Sequence, residues 1–283
     1  MKATPLISAQ ELSNLLNTAS NVVVCDCRFE LSNPQQGVNL YNAGHIPDAR
    51  HVDLDQVLST KGVPGDGRHP LPAREHFAQA MAAIGISDDT HVVCYDANDS
   101  MFAARLWWML RWIGHDNVSV LDGGLLLWGQ AGFPVTTEPP EPAREGRLSV
   151  RDSLTKTVGF EEVLANIDSA ERLVVDARSP DRFRGENETL DPVGGHIPGA
   201  ANRFFKDNLQ PNGAFKDADT LRRELSDSMN GQSPERVISQ CGSGVTACHN
   251  LLAMEVAGLS GAALYPGSWS QWSNTKDAPV AKG

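Results

Sequence analysis

Residues 236–258 read RVISQCGSGVTACHNLLAMEVAG, and residues 91–114 read HVVCYDANDSMFAARLWWMLRWIG. Each is a short apolar run, a polar turn and a long apolar stretch closed by glycine. The runs Val92–Tyr95 and Val237–Gln240 suit strands covered on both faces. The stretches Met101–Ile113 and Thr246–Ala257 predict helices, with Gly114 and Gly258 where a C-terminal cap is expected. The correspondence extends outward in both directions. NVVVCDCRF (21–29) answers to RLVVDARSPDRF (172–183), AGHIPDARHVDLD (43–55) to GGHIPGAANRFF (194–205), and VSVLDGGLLLW (118–128) to AALYPGSWSQW (262–272). Four blocks recur in one order at an offset of about 144–151 residues, which predicts a duplicated unit.

Further strands are expected at Val22–Cys25, Val118–Leu121, Leu173–Val175 and Ala262–Tyr265. Strands alternating with helices give an α/β fold, a mainly parallel sheet flanked by helices in each unit. The segment Thr136–Leu154 is rich in Pro and charge and reads as extended. The expected division is a first unit over 1–140, a linker over 141–155 and a second unit over 156–283. A chain of 283 residues fits two domains at roughly 100–200 residues each.

Composition removes several function classes. Hydrophobic content of 41% with 21% charged residues is that of an ordinary globular protein. No apolar run approaches the roughly 20 residues of a membrane span. The first twenty residues hold one Lys and no continuous apolar core, so they do not read as a signal peptide, and a cytoplasmic location is expected. Lys and Arg number 24 against 35 Asp and Glu, a net charge of −11 without a basic stripe, so neither a nucleic acid nor a membrane is an expected partner. Any site for an anion must therefore be built locally. Five cysteines, an odd count with no CxxC pair, argue against a disulfide framework or a zinc site.

Chemistry concentrates at Cys241. In open α/β sheets, sites lie at the carboxyl ends of strands, facing helix N-termini. Cys241 lies between the strand VISQ and the helix TACHNLLAMEVAG, and Gly242, Ser243, Gly244 and Val245 form the turn. Two glycines let successive N–H groups turn inward, and such a nest at a helix start favours an anion. A thiolate is an anion, so the nest favours the reactive form of Cys241, and it could hold the outer sulfur of a persulfide. The first unit has Asp96 in the equivalent place and no nucleophile.

The CGSGVTA loop, the paired GHIPDA and GHIPGA motifs and the duplicated order resemble two-domain rhodanese-type sulfurtransferases over nearly the whole chain. The loop is most similar to that of the 3-mercaptopyruvate sulfurtransferase branch, since no basic residue follows the cysteine. The resemblance implies that the first domain is non-catalytic. It also implies ping-pong transfer through a Cys241 persulfide, with no metal and no organic cofactor. The donor would be a small molecule, 3-mercaptopyruvate or alternatively thiosulfate. The acceptor would be cyanide, a thiol or a thioredoxin-like protein. By the same resemblance Arg182 binds the donor carboxylate, and Gly242, Gly244, Val245 and Thr246 line its site. The branch's second arginine, expected shortly before GHIP, is absent from ENETLDPVGGHIP, leaving Arg68 and Arg203 as substitutes. Ser243 would act with His69 and Asp66 of GDGRHPLP as a proton relay.

The cysteine loop admits two other readings. A phosphatase would need an Arg six positions after the cysteine, where this chain has Ala247. A persulfide-carrier module would show little small-molecule turnover. His45, His196 and the pairs Asp26/Arg28 and Asp176/Arg178 are expected to be structural, and Cys248 buried.

Overall fold

The structure, a computed structural model, describes residues 3–19, 21–60 and 65–283. In chain order the first repeat forms β1 (Leu6–Ile7), α1 (Ala9–Thr18), β2 (Val22–Asp26), α2 (Gln35–Ala43), β3 (Arg50–His51), α3 (Arg74–Ala83), β4 (His91–Tyr95), α4 (Met101–Trp112), β5 (Val118–Leu121) and α5 (Gly124–Gln130). The second forms β6 (Lys156–Thr157), α6 (Phe160–Ser169), β7 (Leu173–Asp176), α7 (Pro180–Arg184), β8 (Ala201–Asn202), α8 (Ala218–Ser228), β9 (Val237–Gln240), α9 (Thr246–Val256), β10 (Ala263–Leu264) and α10 (Ser268–Trp272). Two short 3₁₀ turns, Phe205–Asn208 and Pro234–Arg236, complete it.

Each unit holds a five-stranded sheet, ordered β1-β5-β4-β2-β3 and β6-β10-β9-β7-β8. The pairings within both sheets are parallel. The central strands β4 and β9 are the ones that lead into Asp96 and Cys241. Apart from half-buried His91 their side chains are buried, as in a parallel sheet covered on both faces, which is why these strands read as continuous apolar runs. Ser8 starts α1 with a reciprocal cap, accepting from the Glu11 N–H while the Glu11 side chain accepts from the Ser8 N–H.

The repeated Asp-x-Arg and GHIP motifs are parts of one device. Arg28 pairs with Asp26 at 2.6 Å and donates to the Gly44 carbonyl at 2.7 Å. Arg178 pairs with Asp176 at 2.7 Å and donates to the Gly195 carbonyl at 2.7 Å. A buried, fully hydrogen-bonded ion pair thus pins the GHIP turn to the end of the neighbouring strand. His45 and His196 stack on Tyr41 and Phe183, with centroids 4.0 and 3.8 Å apart. These residues hold the fold.

The two units are not contiguous in sequence. One comprises Met1–Ser59, Pro72–Leu154 and Gln210–Phe215, the other Thr60–Leu71, Thr155–Leu209 and Lys216–Gly283. This differs from the expected single division over 141–155, because two short segments fold with the opposite repeat. The linker region itself is extended but fixed to its own unit. Gly146 N–H donates to the Ala82 carbonyl at 2.8 Å and Arg151 N–H to the Ile113 carbonyl at 2.8 Å. No described helix is long and apolar enough to cross a membrane.

Candidate active site

Cys241 lies at the carboxyl end of the central strand β9 and is 2% exposed. The segment before α10 shapes its loop. Trp269 N–H donates to the Cys241 carbonyl at 2.9 Å, and Ser270 N–H to the Gly242 carbonyl at 2.8 Å. The Ser268 hydroxyl accepts from the Cys241 N–H at 3.1 Å and donates to the Tyr265 carbonyl at 2.8 Å. Two loop carbonyls are thereby held toward α10. Gly244 has φ +77°, and a Cβ there would stand 2.6 Å from the Pro266 carbonyl oxygen, so only glycine fits the turn. Val245 caps α9 without a side-chain hydrogen bond, so no side chain at the cap takes up the first N–H groups of that helix.

The first unit has a carboxylate in the equivalent turn. Asp96 Oδ1 accepts from the N–H groups of Asn98 and Ser100 at 2.8 and 2.9 Å, and Oδ2 from those of Phe102 and Ala103 at 2.8 and 2.9 Å. Burial pushes the Asp96 pKa up, and the four N–H groups oppose it. Where a carboxylate fills the nest in one unit, the other carries the thiol of Cys241.

Two guanidinium groups converge on Gly242. A Cβ at that position would lie 3.1 Å from Arg68 Nη2 and 3.6 and 3.7 Å from Arg182 Nη1 and Nη2. Arg182 is carried by α7, whose N-terminus holds Pro180. Arg68 belongs to the Thr60–Leu71 segment of the same unit. Its N–H donates to Ser270 Oγ at 3.0 Å, and the preceding Gly67, at φ +90°, passes so close to Gly267 that a Cβ would meet its carbonyl oxygen at 2.8 Å. The backs of both guanidinium groups rest on acids. Arg182 donates to Glu188 at 2.9–3.1 Å, and Arg68 Nη1 to Asp191. Arg203 lies elsewhere, bonded to Asn208 and, at 2.8 Å, to Glu224.

Of the residues expected to form the relay, His69 Nδ1 and Ser243 Oγ are 2.7 Å apart, and both residues are buried. Asp66 is exposed, and none of the described hydrogen bonds joins it to either. Three of the remaining cysteines lie in the first repeat, and the fourth lies in α9. Cys25, Cys27 and Cys94 are fully buried on β2 and β4 or just beyond; desolvation pushes the Cys25 thiol up to about 12 and the other two well above the ordinary value. Cys248 Sγ donates to the Gly244 carbonyl at 3.3 Å from inside α9. Glu188 and Asp191 are not among the residues expected from the sequence, whose signal for them is the acidic stretch before GHIP.

The second unit is thus a parallel α/β sheet with a buried cysteine in a glycine turn, beside two arginines. The rhodanese-like domain model matches residues 8–131 and 160–275. A probable 3-mercaptopyruvate sulfurtransferase of Pseudomonas aeruginosa is 40% identical over the full length of both chains. A thiosulfate sulfurtransferase of Cricetulus griseus is 37% identical over 94% of this chain and 91% of its own. Among solved structures, SseA of Escherichia coli, described as a 3-mercaptopyruvate sulfotransferase, superposes with a TM-score of 0.82 at 32% identity, covering 95% of this chain and 100% of its own. The chain belongs to the rhodanese-like domain family and is a sulfurtransferase.

Proposed function

We propose that this chain moves sulfur from 3-mercaptopyruvate to a thiol, cyanide or thioredoxin-like acceptor, through a persulfide on Cys241, in the cytoplasm. The second unit, with its Thr60–Leu71 segment, is the catalytic one. The first, with Asp96 in the nucleophile's place, is not. The observation that carries this reading is the convergence of Arg68 and Arg182 on Gly242, beside the cysteine. Two planar guanidinium groups suit a carboxylate, which accepts paired hydrogen bonds. Arg68 then serves as the second arginine that the stretch before GHIP lacks.

In the first step the Cys241 thiolate attacks the donor sulfur. An S–S bond forms, the donor C–S bond breaks, and its electron pair leaves as the enolate of pyruvate. The proton lost from the donor thiol returns to the enolate carbon, and the Ser243–His69 hydrogen bond is the route offered for it. The N–H groups of Gly244, Val245 and Thr246 line the turn that would hold the outer sulfur, leaving it for the acceptor's attack.

Thiosulfate is the second reading, favoured by the similarity to a thiosulfate sulfurtransferase. Comparing kcat/KM for both donors in the parent, Arg68→Ala, Arg182→Ala and Ser243→Lys tests the choice. Mercaptopyruvate should be the better donor in the parent, each arginine variant should harm it more than thiosulfate, and Ser243→Lys should move preference toward thiosulfate. A parent that prefers thiosulfate, with Arg182→Ala hurting both donors equally, contradicts the donor assignment.

A further inference from the structure

The acids behind the two arginines are as well built as the arginines themselves. Glu188 holds Arg182 and also touches Arg178 at 3.4 Å, which ties it to the buried Asp176–Arg178 pair. Asp191 is different. Its described ion pairs are with Arg68 and, at 3.5 Å, with Arg182, so it alone bridges the two groups that face Gly242. Its side chain is 2% exposed. Burial pushes its pKa above the ordinary aspartate value while Arg68 pulls it down, so a carboxylate is held here against a desolvation cost. Two cations set against two carboxylates leave a cluster of no net formal charge above the loop.

That balance matters because the two donor classes differ in charge. A 2-oxo acid with a neutral thiol carries one negative charge, whereas thiosulfate carries two. Arginines stripped of their counter-charges would favour the dianion. Arginines already half satisfied provide geometry for a carboxylate with little net field.

We propose that Asp191 is a specificity-determining positioning residue: it clasps Arg68 to Arg182 and, by cancelling one of their charges, turns the site toward singly charged donors and away from thiosulfate. This rests on the reading of Cys241 as sulfur carrier and adds the device that sets donor choice. Asp191→Asn keeps an oxygen acceptor for Arg68 and removes the charge. A nearby charge, partly screened, acts about twice as strongly on a dianion as on a monoanion. The expected shift in the ratio of kcat/KM for thiosulfate to that for 3-mercaptopyruvate is about three- to tenfold.

The test uses the purified full chain, with Asp191→Asn and Asp191→Ser as two neutral variants and Asp191→Glu to restore the charge. Thermal unfolding confirms which variants are folded, and intact mass after each donor reports sulfur on the protein. The ratio should rise in a folded neutral variant, return toward the parent value in Asp191→Glu, and rise less at high salt. A folded neutral variant that loses activity on both donors by the same factor, with the ratio unmoved, overturns the proposal alone, because Asp191 would then only hold the arginines in place. A parent that takes no sulfur from either donor overturns this proposal together with the sulfur-carrier reading.

Discussion

Replacing Gly242 with Ala separates the arginine site from the fold that carries it. Gly242 is not among the residues with left-handed backbone, so alanine adopts its conformation without strain. Reduced freedom of the unfolded chain even favours the variant by about 0.4–1 kcal/mol. The new Cβ would stand 3.1 Å from Arg68 Nη2 and 3.6 Å from Arg182 Nη1, tighter for Arg68 than an ordinary contact of about 3.5–4 Å. The atoms that must give are the ends of flexible side chains, so unfolding free energy should change by less than about 1 kcal/mol. The donor should feel the change. Losing one charge-assisted hydrogen bond to its anion costs about 1.5–3 kcal/mol, or about ten- to 150-fold in kcat/KM, chiefly through KM. Gly244→Ala is the contrast. Its φ of +77° costs about 1–2 kcal/mol for any side chain, and the 2.6 Å approach to the rigid Pro266 carbonyl adds to it, for about 2–4 kcal/mol in all. Urea unfolding and steady-state kinetics with 3-mercaptopyruvate measure both. A Gly242→Ala protein with parental kinetics would refute the argument, as would one less stable than Gly244→Ala.

Residues 146–283 expressed alone lack Arg68 and His69, which fold with the second unit, and should lose most sulfur transfer; full activity of that fragment would remove both residues from the site. Asp96→Ala leaves four N–H groups, three of them buried, without their acceptor and should destabilise the protein by about 2–4 kcal/mol in urea unfolding, with donor KM unchanged where folded. A variant with Cys25, Cys27, Cys94 and Cys248 all replaced by Ala or Ser should lose stability through cavities yet still gain sulfur from the donor; a folded variant that gains none would point to a second thiol in the reaction.

The doubling and the long central strands were legible because buried parallel strands are written as apolar runs. Val118–Leu121 and Val237–Gln240 have the bounds expected of them. Val22–Asp26, His91–Tyr95 and Leu173–Asp176 each extend one residue past the apolar run, and Ala263–Leu264 is shorter than it. The edge strands β1, β3, β6 and β8 have two residues each, too few to show any period. Nothing in Thr60–Leu71 or Gln210–Phe215 marks them as folding with the other repeat, since that membership is decided by contacts distant in sequence. The cysteine loop was legible because its glycines and its position after a strand are local. The contact of Arg68 with Asp191 was not, because it joins residues 123 positions apart. The stretch ENETLDPVGG carries acids and no cation, and two of those acids, Glu188 and Asp191, are the counter-charges of Arg182 and Arg68. Asp66 rests on the resemblance alone; it is exposed, whereas Ser243 and His69 are buried.

Sulfur bound to one cysteine is the central claim, and intact mass reads it directly. The full chain is incubated with 3-mercaptopyruvate, freed of donor and weighed beside Cys241→Ser treated in the same way. The parent should carry one added sulfur atom, released by cyanide, and folded Cys241→Ser should carry none and turn over no donor. Added sulfur or turnover in Cys241→Ser would contradict the account.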